Sequence, residues 1–207
     1  KGTAGRLEIA SVASLAESLL PPAVARLRRD LPGVVVEVVT LPSAAVVQHV
    51  ADRRADLGLI YDPADNPHVA SQSLRDAAAV CAVPRRHPLA RRAALEPADL
   101  AGVTLIGYRG DTRIGGAVRR AFAAAGLRKE PELTTDSTRV AMRLVAAGIG
   151  IAVVDPFLFG VPGPPAVVSV PFQPSIPLRA RLIRSRERPQ SGIAAAFGRI
   201  LAAAAAG

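Results

Sequence analysis

The sequence is poor in the residue types that cross-link, ligate metals or stack on bases. A single cysteine, Cys81, among 207 residues leaves no partner for an intramolecular disulfide, and a chain that gains nothing from an oxidising compartment fits a reducing cytoplasm. The histidines, His49, His68 and His87, stand apart with no metal-ligand spacing. Tryptophan is absent and aromatic residues make up 3%, which leaves none interleaved with arginine for base stacking. No stretch approaches the roughly 20 uninterrupted apolar residues of a membrane span, and the N-terminus lacks a charged-then-apolar signal pattern. Nucleophile-elbow, phosphate-loop and H-E-x-x-H signatures are missing. The expectation is a chain that is not an enzyme, holds no cofactor or metal and does not enter a membrane.

What is present is arginine. The formal charge is +9 and the only lysines are Lys1 and Lys129. The arginines come in scattered pairs, Arg28-Arg29, Arg53-Arg54, Arg85-Arg86, Arg91-Arg92 and Arg119-Arg120. That dispersal, in a chain also rich in Ala, Gly and Pro, reads as compositional bias of the source genome and not as a phosphate-binding stripe. A basic surface still draws in small anions. A chain of this length buries about 70% of its unfolded surface on folding, so a sizeable core needs no staples. It begins with Lys1 and not Met, from which we expect a fragment with something missing upstream.

Apolar runs of strand length alternate with segments of helical period, the pattern of α/β units with mostly parallel sheets. The first unit reads as strand Leu7–Val12, a helix from Ser14 to Asp30, and strand Val34–Val39. Leu15, Leu19, Leu20, Val24, Leu27 and Leu31 form one stripe of that helix, and Pro21-Pro22 should kink it or split off its first turn. A helix from Ser43 to about Arg53 leads into strand Asp56–Tyr61. Further strands are expected at Ala77–Val83, Val103–Tyr108, Glu132–Thr135 and Ile151–Val154. Helices are expected at Pro97–Leu100, from about Arg113 to Ala125 ahead of Gly126, and from Asp136 or Ser137 through Ala147. A final strand, Pro177–Ile183, and helix, Ser191–Ala205, should return to the first lobe. Two α/β lobes with two chain crossings follow.

Ser14-Leu15-Ala16-Glu17 has the S-x-x-E form of a capping box at the first strand-to-helix turn. Such a turn also presents free N–H groups and a positive helix end, where anions bind. Ser43 and Ser137 occupy corresponding places after later strands, so each is a cap or a ligand contact. Gly148-Ile149-Gly150 follows a helix and precedes a strand, which makes it a tight αβ turn and not a dinucleotide fingerprint. Cys81 falls in an apolar strand and reads as a small core residue.

In order, these pieces resemble the effector-binding domain of LysR-type transcriptional regulators: Ser14 with Leu19-Leu20-Pro21, Leu31-Pro32-Gly33-Val34, and Arg54-Ala55-Asp56-Leu57-Gly58-Leu59. His87-Pro88-Leu89-Ala90 and Leu144-Val145-Ala146-Ala147-Gly148-Ile149-Gly150-Ile151-Ala152 continue the match over essentially the whole chain. Family members usually carry Phe where Leu27 stands. The resemblance implies a two-lobed α/β fold like the type 2 periplasmic binding proteins, with a ligand cleft between lobes. Lobe one would comprise residues 1–77 and 178–207, and lobe two residues 78–177. It further implies a cytoplasmic homodimer or homotetramer that senses a small-molecule effector and reaches promoter DNA only through a winged helix-turn-helix upstream of Lys1. The implied ligand-binding residues are Ser14, Ser43 and Tyr61 in the first lobe, and Tyr108, Arg109, Arg113, Ser137 and Asp155 in the second.

Gly107-Tyr108-Arg109-Gly110-Asp111-Thr112-Arg113 and Val153-Val154-Asp155-Pro156-Phe157 resemble the amino-acid or opine-sensing branch. There an arginine fork suits a carboxylate and Asp155 an ammonium group; otherwise Asp155 caps a turn before Pro156. The rival readings are a periplasmic solute-binding protein of a transporter and, with Cys81 exposed in the cleft, a porphyrin-pathway deaminase carrying a cysteine-tethered cofactor.

Overall fold

The computed structural model describes residues 5–62, 66–110, 112–162, 166–187 and 189–206. The chain divides into two compact units, Lys1–Asp76 with Arg179–Gly207, and Ala77–Leu178.

In the first unit, β1 (Gly5–Ser11) leads into α1 (Ala13–Asp30), then β2 (Val34–Thr40), α2 (Ser43–Ala51) and β3 (Leu57–Tyr61). β4 (Val69–Ala78) carries the chain out of the unit, and β10 (Pro177–Ser185) brings it back to end on α6 (Gly192–Ala206). The strand order is β2-β1-β3-β10-β4. β1 runs parallel to β2 and β3, whereas β10 pairs antiparallel with β3. The apolar stripe read from the sequence is buried as Leu15, Leu19, Leu20, Ala23 and Leu27, and α1 packs on α6. Val46 and Val50 of α2 pack with Ala10, Ile60, Val69 and Ile183. At Gly58 a Cβ would come within 2.7 Å of Ile183 and 2.9 Å of Val46 and Val50, so glycine there lets α2 approach the sheet.

The second unit contains β5 (Val80–Pro84), α3 (Pro97–Leu100), β6 (Leu105–Gly107), α4 (Arg113–Ala124), β7 (Leu133–Thr134), α5 (Thr138–Ala146), β8 (Ile151–Val154) and β9 (Val167–Pro171). Its strand order is β7-β6-β8-β5-β9. β6 is parallel to β7 and β8, and β5 is antiparallel to β8 and β9. Gly126 and Gly148 follow α4 and α5 at φ +72° and +76°, a left-handed stop that glycine adopts without steric cost. Gly150 is needed for a different reason: a Cβ there would lie 2.2 Å from the Thr104 carbonyl oxygen.

Several expectations are corrected. The sheets are mixed and not mostly parallel: β10 runs against β3 in the first unit, and β5 runs against β8 and β9 in the second. The Pro21-Pro22 pair does not split α1; both prolines are exposed, while Leu19, Leu20 and Ala23 around them are buried. The expected strand Ala77–Val83 is the tail of β4 followed by β5, interrupted at Ala79. β4 escaped the sequence reading because it is an edge strand with largely solvated side chains, and β9 because it is a short edge strand that buries only Val167 and Val170, so neither needs a long apolar run. Cys81 is fully buried, which overturns the exposed cysteine that a tethered cofactor needs. Burial, and secondarily the Asp99 carboxylate, push its thiol up to about 12.

Two outcomes follow. Gly58→Ala is expected to destabilise the chain by about 1–3 kcal/mol in urea titration, the usual cost of over-packing a filled core. Cys81 in the native chain should stay unmodified by a thiol-disulfide reagent at pH 8, since the thiolate is the reactive form, and should react promptly in denaturant; rapid native-state labelling would show the thiol to be accessible.

Candidate functional site

The candidate residues collect at the carboxyl edges of the parallel strands, one group in each unit. In the first unit, the ends of β1 and β2 are in register, Ser11 opposite Thr40, and Leu41 N donates to Ser11 O at 2.9 Å. β3 joins the same edge, with Ser11 opposite Leu59 and Val12 N donating to Leu59 O at 3.0 Å. α1 and α2 therefore start side by side along one edge, each with unpaired first-turn N–H groups and a positive dipole end.

Neither helix start is capped by serine. The N-cap of α1 is Val12 and that of α2 is Pro42, and neither makes a side-chain cap hydrogen bond. Ser14 is the second residue of its helix and Ser43 the first, so the capping-box reading of Ser14-Leu15-Ala16-Glu17 is wrong. The Ser14 hydroxyl instead lies 2.6 Å from the Tyr61 phenol oxygen at the end of β3, buried to 7% exposure. Freed from capping, Ser14 ties the first turn of α1 to β3. Ser137 behaves as expected and caps α5, accepting from Val140 N at 3.3 Å.

In the second unit, Tyr108 follows β6, Asp155 follows β8, and Thr138 opens α5 after β7. The Tyr108 phenol is hydrogen-bonded to Thr138 Oγ1, and Thr138 Oγ1 donates to Asp155 Oδ2. Thr138 has one hydroxyl proton, so Tyr108 is the donor in the first bond. Asp155 Oδ1 also accepts from Phe157 N at 3.2 Å, the turn-capping role open to a residue before Pro156. Asp155 is 2% exposed and Thr138 6%. Burial, reinforced by the Asp155 carboxylate, pushes the Tyr108 phenol well above its ordinary range, which keeps its proton in place. The sequence reading missed Thr138; its only signal is its place beside the capping Ser137.

Arg109 and Arg113 are both exposed. The Arg109 carbonyl accepts from Thr112 N at 3.0 Å and Thr112 Oγ1 at 2.7 Å, closing the turn that starts α4. Arg113 Nη2 donates to Pro177 O at 3.4 Å. A Cβ on Gly115 would sit 2.1 Å from the Arg109 carbonyl oxygen, so the glycine allows α4 to rest on this turn. The structure thus joins Ser14 to Tyr61 directly and Tyr108 to Asp155 through Thr138. Asp111 lies outside the described residues. Among the described residues no cluster of three or more His, Cys, Asp or Glu is arranged to hold a metal ion, and no helix is long and apolar enough to cross a membrane.

The family model for the LysR substrate binding domain matches residues 1–206. The Transcriptional activator protein LysR of Escherichia coli (strain K12) is 28% identical over 196 residues, covering 93% of this chain and 62% of that protein. The Octopine catabolism/uptake operon regulatory protein OccR of Rhizobium meliloti is 30% identical over 176 residues, covering 85% of this chain and 54% of that one. In fold the chain is similar to the Synechocystis PCC6803 CcmR regulatory domain in complex with 2-PG, with a TM-score of 0.82, 19% identity and 96% of each chain covered. The architecture is therefore the two-lobed, periplasmic-binding-protein-like α/β fold. The chain spans between half and two thirds of the length of these curated relatives. With the match running over nearly every residue, the chain belongs to the LysR substrate binding domain family.

Proposed function

We propose that this chain is the effector-sensing part of a LysR-type transcriptional regulator, that its ligand binds in a cleft between the two units, and that DNA is contacted by a winged helix-turn-helix outside these residues. The lobes we assign are residues 1–77 with 178–207, and 78–177. The ligand is a small anion or amino-acid-like molecule. The observation that carries this reading is the pair of polar strand edges: two adjacent helix starts with Ser14, Ser43 and Tyr61 in one unit, and the buried Tyr108–Thr138–Asp155 chain in the other. Helix starts attract a carboxylate, a buried carboxylate attracts an ammonium group, and Arg109 and Arg113 add exposed positive charge.

The names of the relatives agree with this chemistry. OccR is named as a regulator of octopine catabolism and uptake, and the CcmR domain holds 2-PG. Both relatives that we compare by sequence are named as regulators, not enzymes or transporter receptors.

We further propose that the regulator is a cytoplasmic homodimer or homotetramer. Supporting this, Val35, Val38 and Val39 of edge strand β2 are 56%, 47% and 40% exposed, and a paired partner strand would shield them.

A thermal-shift screen of amino acids and opines should yield a ligand that, at about 100 times its dissociation constant, stabilises by about 2.7 kcal/mol, or roughly 5–11 °C. With that ligand, Ser14→Ala and Asp155→Asn should each weaken binding by about 1.5–3 kcal/mol, the order of a hydrogen bond to a charged group. Unchanged affinity in both would sink the assignment of these strand edges. Sedimentation of the isolated chain over a concentration series should reveal self-association, and Val38→Asp should shift it toward monomer; monomer alone at high micromolar concentration would remove the oligomer from the proposal.

A further inference from the structure

Adjoining the polar edge of the second unit, with Tyr108 and Gly110 among its walls, lies a cavity of about 100 Å³ between α4 and the β6–β7 side of the sheet. Its apolar lining includes Ile106, Ile114, Val118 and Val153, and the charged side chains among its walls are Arg119, Lys129 and Glu130. Ile114 and Val118 face inward from α4 and are buried. A larger cavity of about 150 Å³ admits benzene, so this smaller one has room for a branched alkyl group.

The charges decide what such a body should carry. Lys129 has its ammonium 2.7 Å from Glu132 Oε1 and its side chain only 13% exposed, so its charge is held in place and largely matched. Glu130 is exposed to solvent. Arg119 donates one Nη2 hydrogen bond, to Gly110 O at 3.0 Å, and a guanidinium has five N–H donors. The guanidinium lies so close over this turn that a Cβ on Gly110 would come within 2.3 Å of Nη1. Arg119 is therefore both a wall of the cavity and a strut under the segment that bears Tyr108 and Arg109.

We propose that this cavity is a second ligand site, taking a small branched monocarboxylate whose apolar body lies against Ile114 and Val118 and whose acid group meets Arg119. Because Arg119 also holds the Gly110 carbonyl, occupancy acts on residues 108–110 and so on the neighbouring polar edge. The cavity shares Tyr108 with the proposed effector edge, but Ser14, Thr138 and Asp155 do not line it, so substitution at Ser14 separates failure of one reading from failure of the other.

The test uses 3-methylbutanoate and its neutral isostere 3-methylbutanamide, titrated into the chain with methyl and amide NMR detection. The acid should bind with a dissociation constant on the order of millimolar, as expected for so few heavy atoms. It should shift the Ile114 and Val118 methyl signals, give intermolecular NOEs to them, and move the Gly110 amide. The amide should bind about two- to five-fold more weakly, and Arg119→Gln should weaken the acid by a similar factor without changing the amide, the worth of a partly exposed charge pair. Ser14→Ala should leave both titrations unchanged. Equal affinity for acid and amide, NOEs confined to residues outside the cavity, or no shift up to tens of millimolar would each overturn the proposal.

Discussion

A helix that follows a parallel strand has to begin where that strand ends, and this constraint organises both units. β1, β2 and β3 are hydrogen-bonded in register at their carboxyl ends, as are β6, β7 and β8. Within each unit the turns that leave them therefore emerge along one edge, and polar groups distant in sequence are collected there. Ser14 and Tyr61 are 47 residues apart and hydrogen-bonded; Tyr108 and Thr138 are 30 apart. The sheet supplies the rigidity, and its apolar packing supplies the free energy that holds these groups in place.

Glycine enforces the same constraint from the other side. Gly58 lets α2 close on β3, Gly115 lets the first turn of α4 sit on the Arg109 carbonyl, and Gly150 lets β8 pass the Thr104 carbonyl. Each is a place where backbone or core would meet a side chain at less than contact distance. Side-chain caps add to this in the second unit, where Thr112 caps α4 and Ser137 caps α5, while α1 and α2 begin at Val12 and Pro42 with no side-chain cap.

Much of the fold was legible because burial imposes periodicity. The stripe Leu15, Leu19, Leu20 and Leu27 predicts α1, the apolar run Ile151–Val154 predicts β8, and Gly126 and Gly148 mark helix ends at positive φ. Where burial is weak the signal vanishes: β4, with most of its side chains at least partly solvated at a sheet edge, reads as loop. The candidate site was legible in position but not in wiring. Ser14 could be placed at a helix start from the strand before it, whereas its bond to Tyr61 depends on the register of β3 and on Val12 taking the cap position. Thr138 carried little signal beyond its place beside the capping Ser137, because its role comes from the strands on either side of α5.

The direction of the hydrogen bonds in the second unit has a chemical consequence. A carboxylate as buried as Asp155 is costly unless its lone pairs are satisfied, and Thr138 Oγ1 and Phe157 N both donate to it. Thr138 is also the first residue of α5, so the positive end of that helix lies beside the charge and favours it. With the Thr138 proton committed to Asp155, the Tyr108 proton is committed to Thr138. The phenol keeps that proton because ionising it would place a second negative charge in a buried site. What Tyr108 has left for another molecule is an oxygen lone pair, not a donor. The Tyr108 oxygen is therefore an acceptor for an N–H group, whereas the first-turn N–H groups of α1 and α2 are donors. Each unit thus ends its parallel strands in a polar edge of its own character: helix-start donors with the Ser14–Tyr61 pair in the first, and a proton-committed hydroxyl chain ending on a carboxylate in the second.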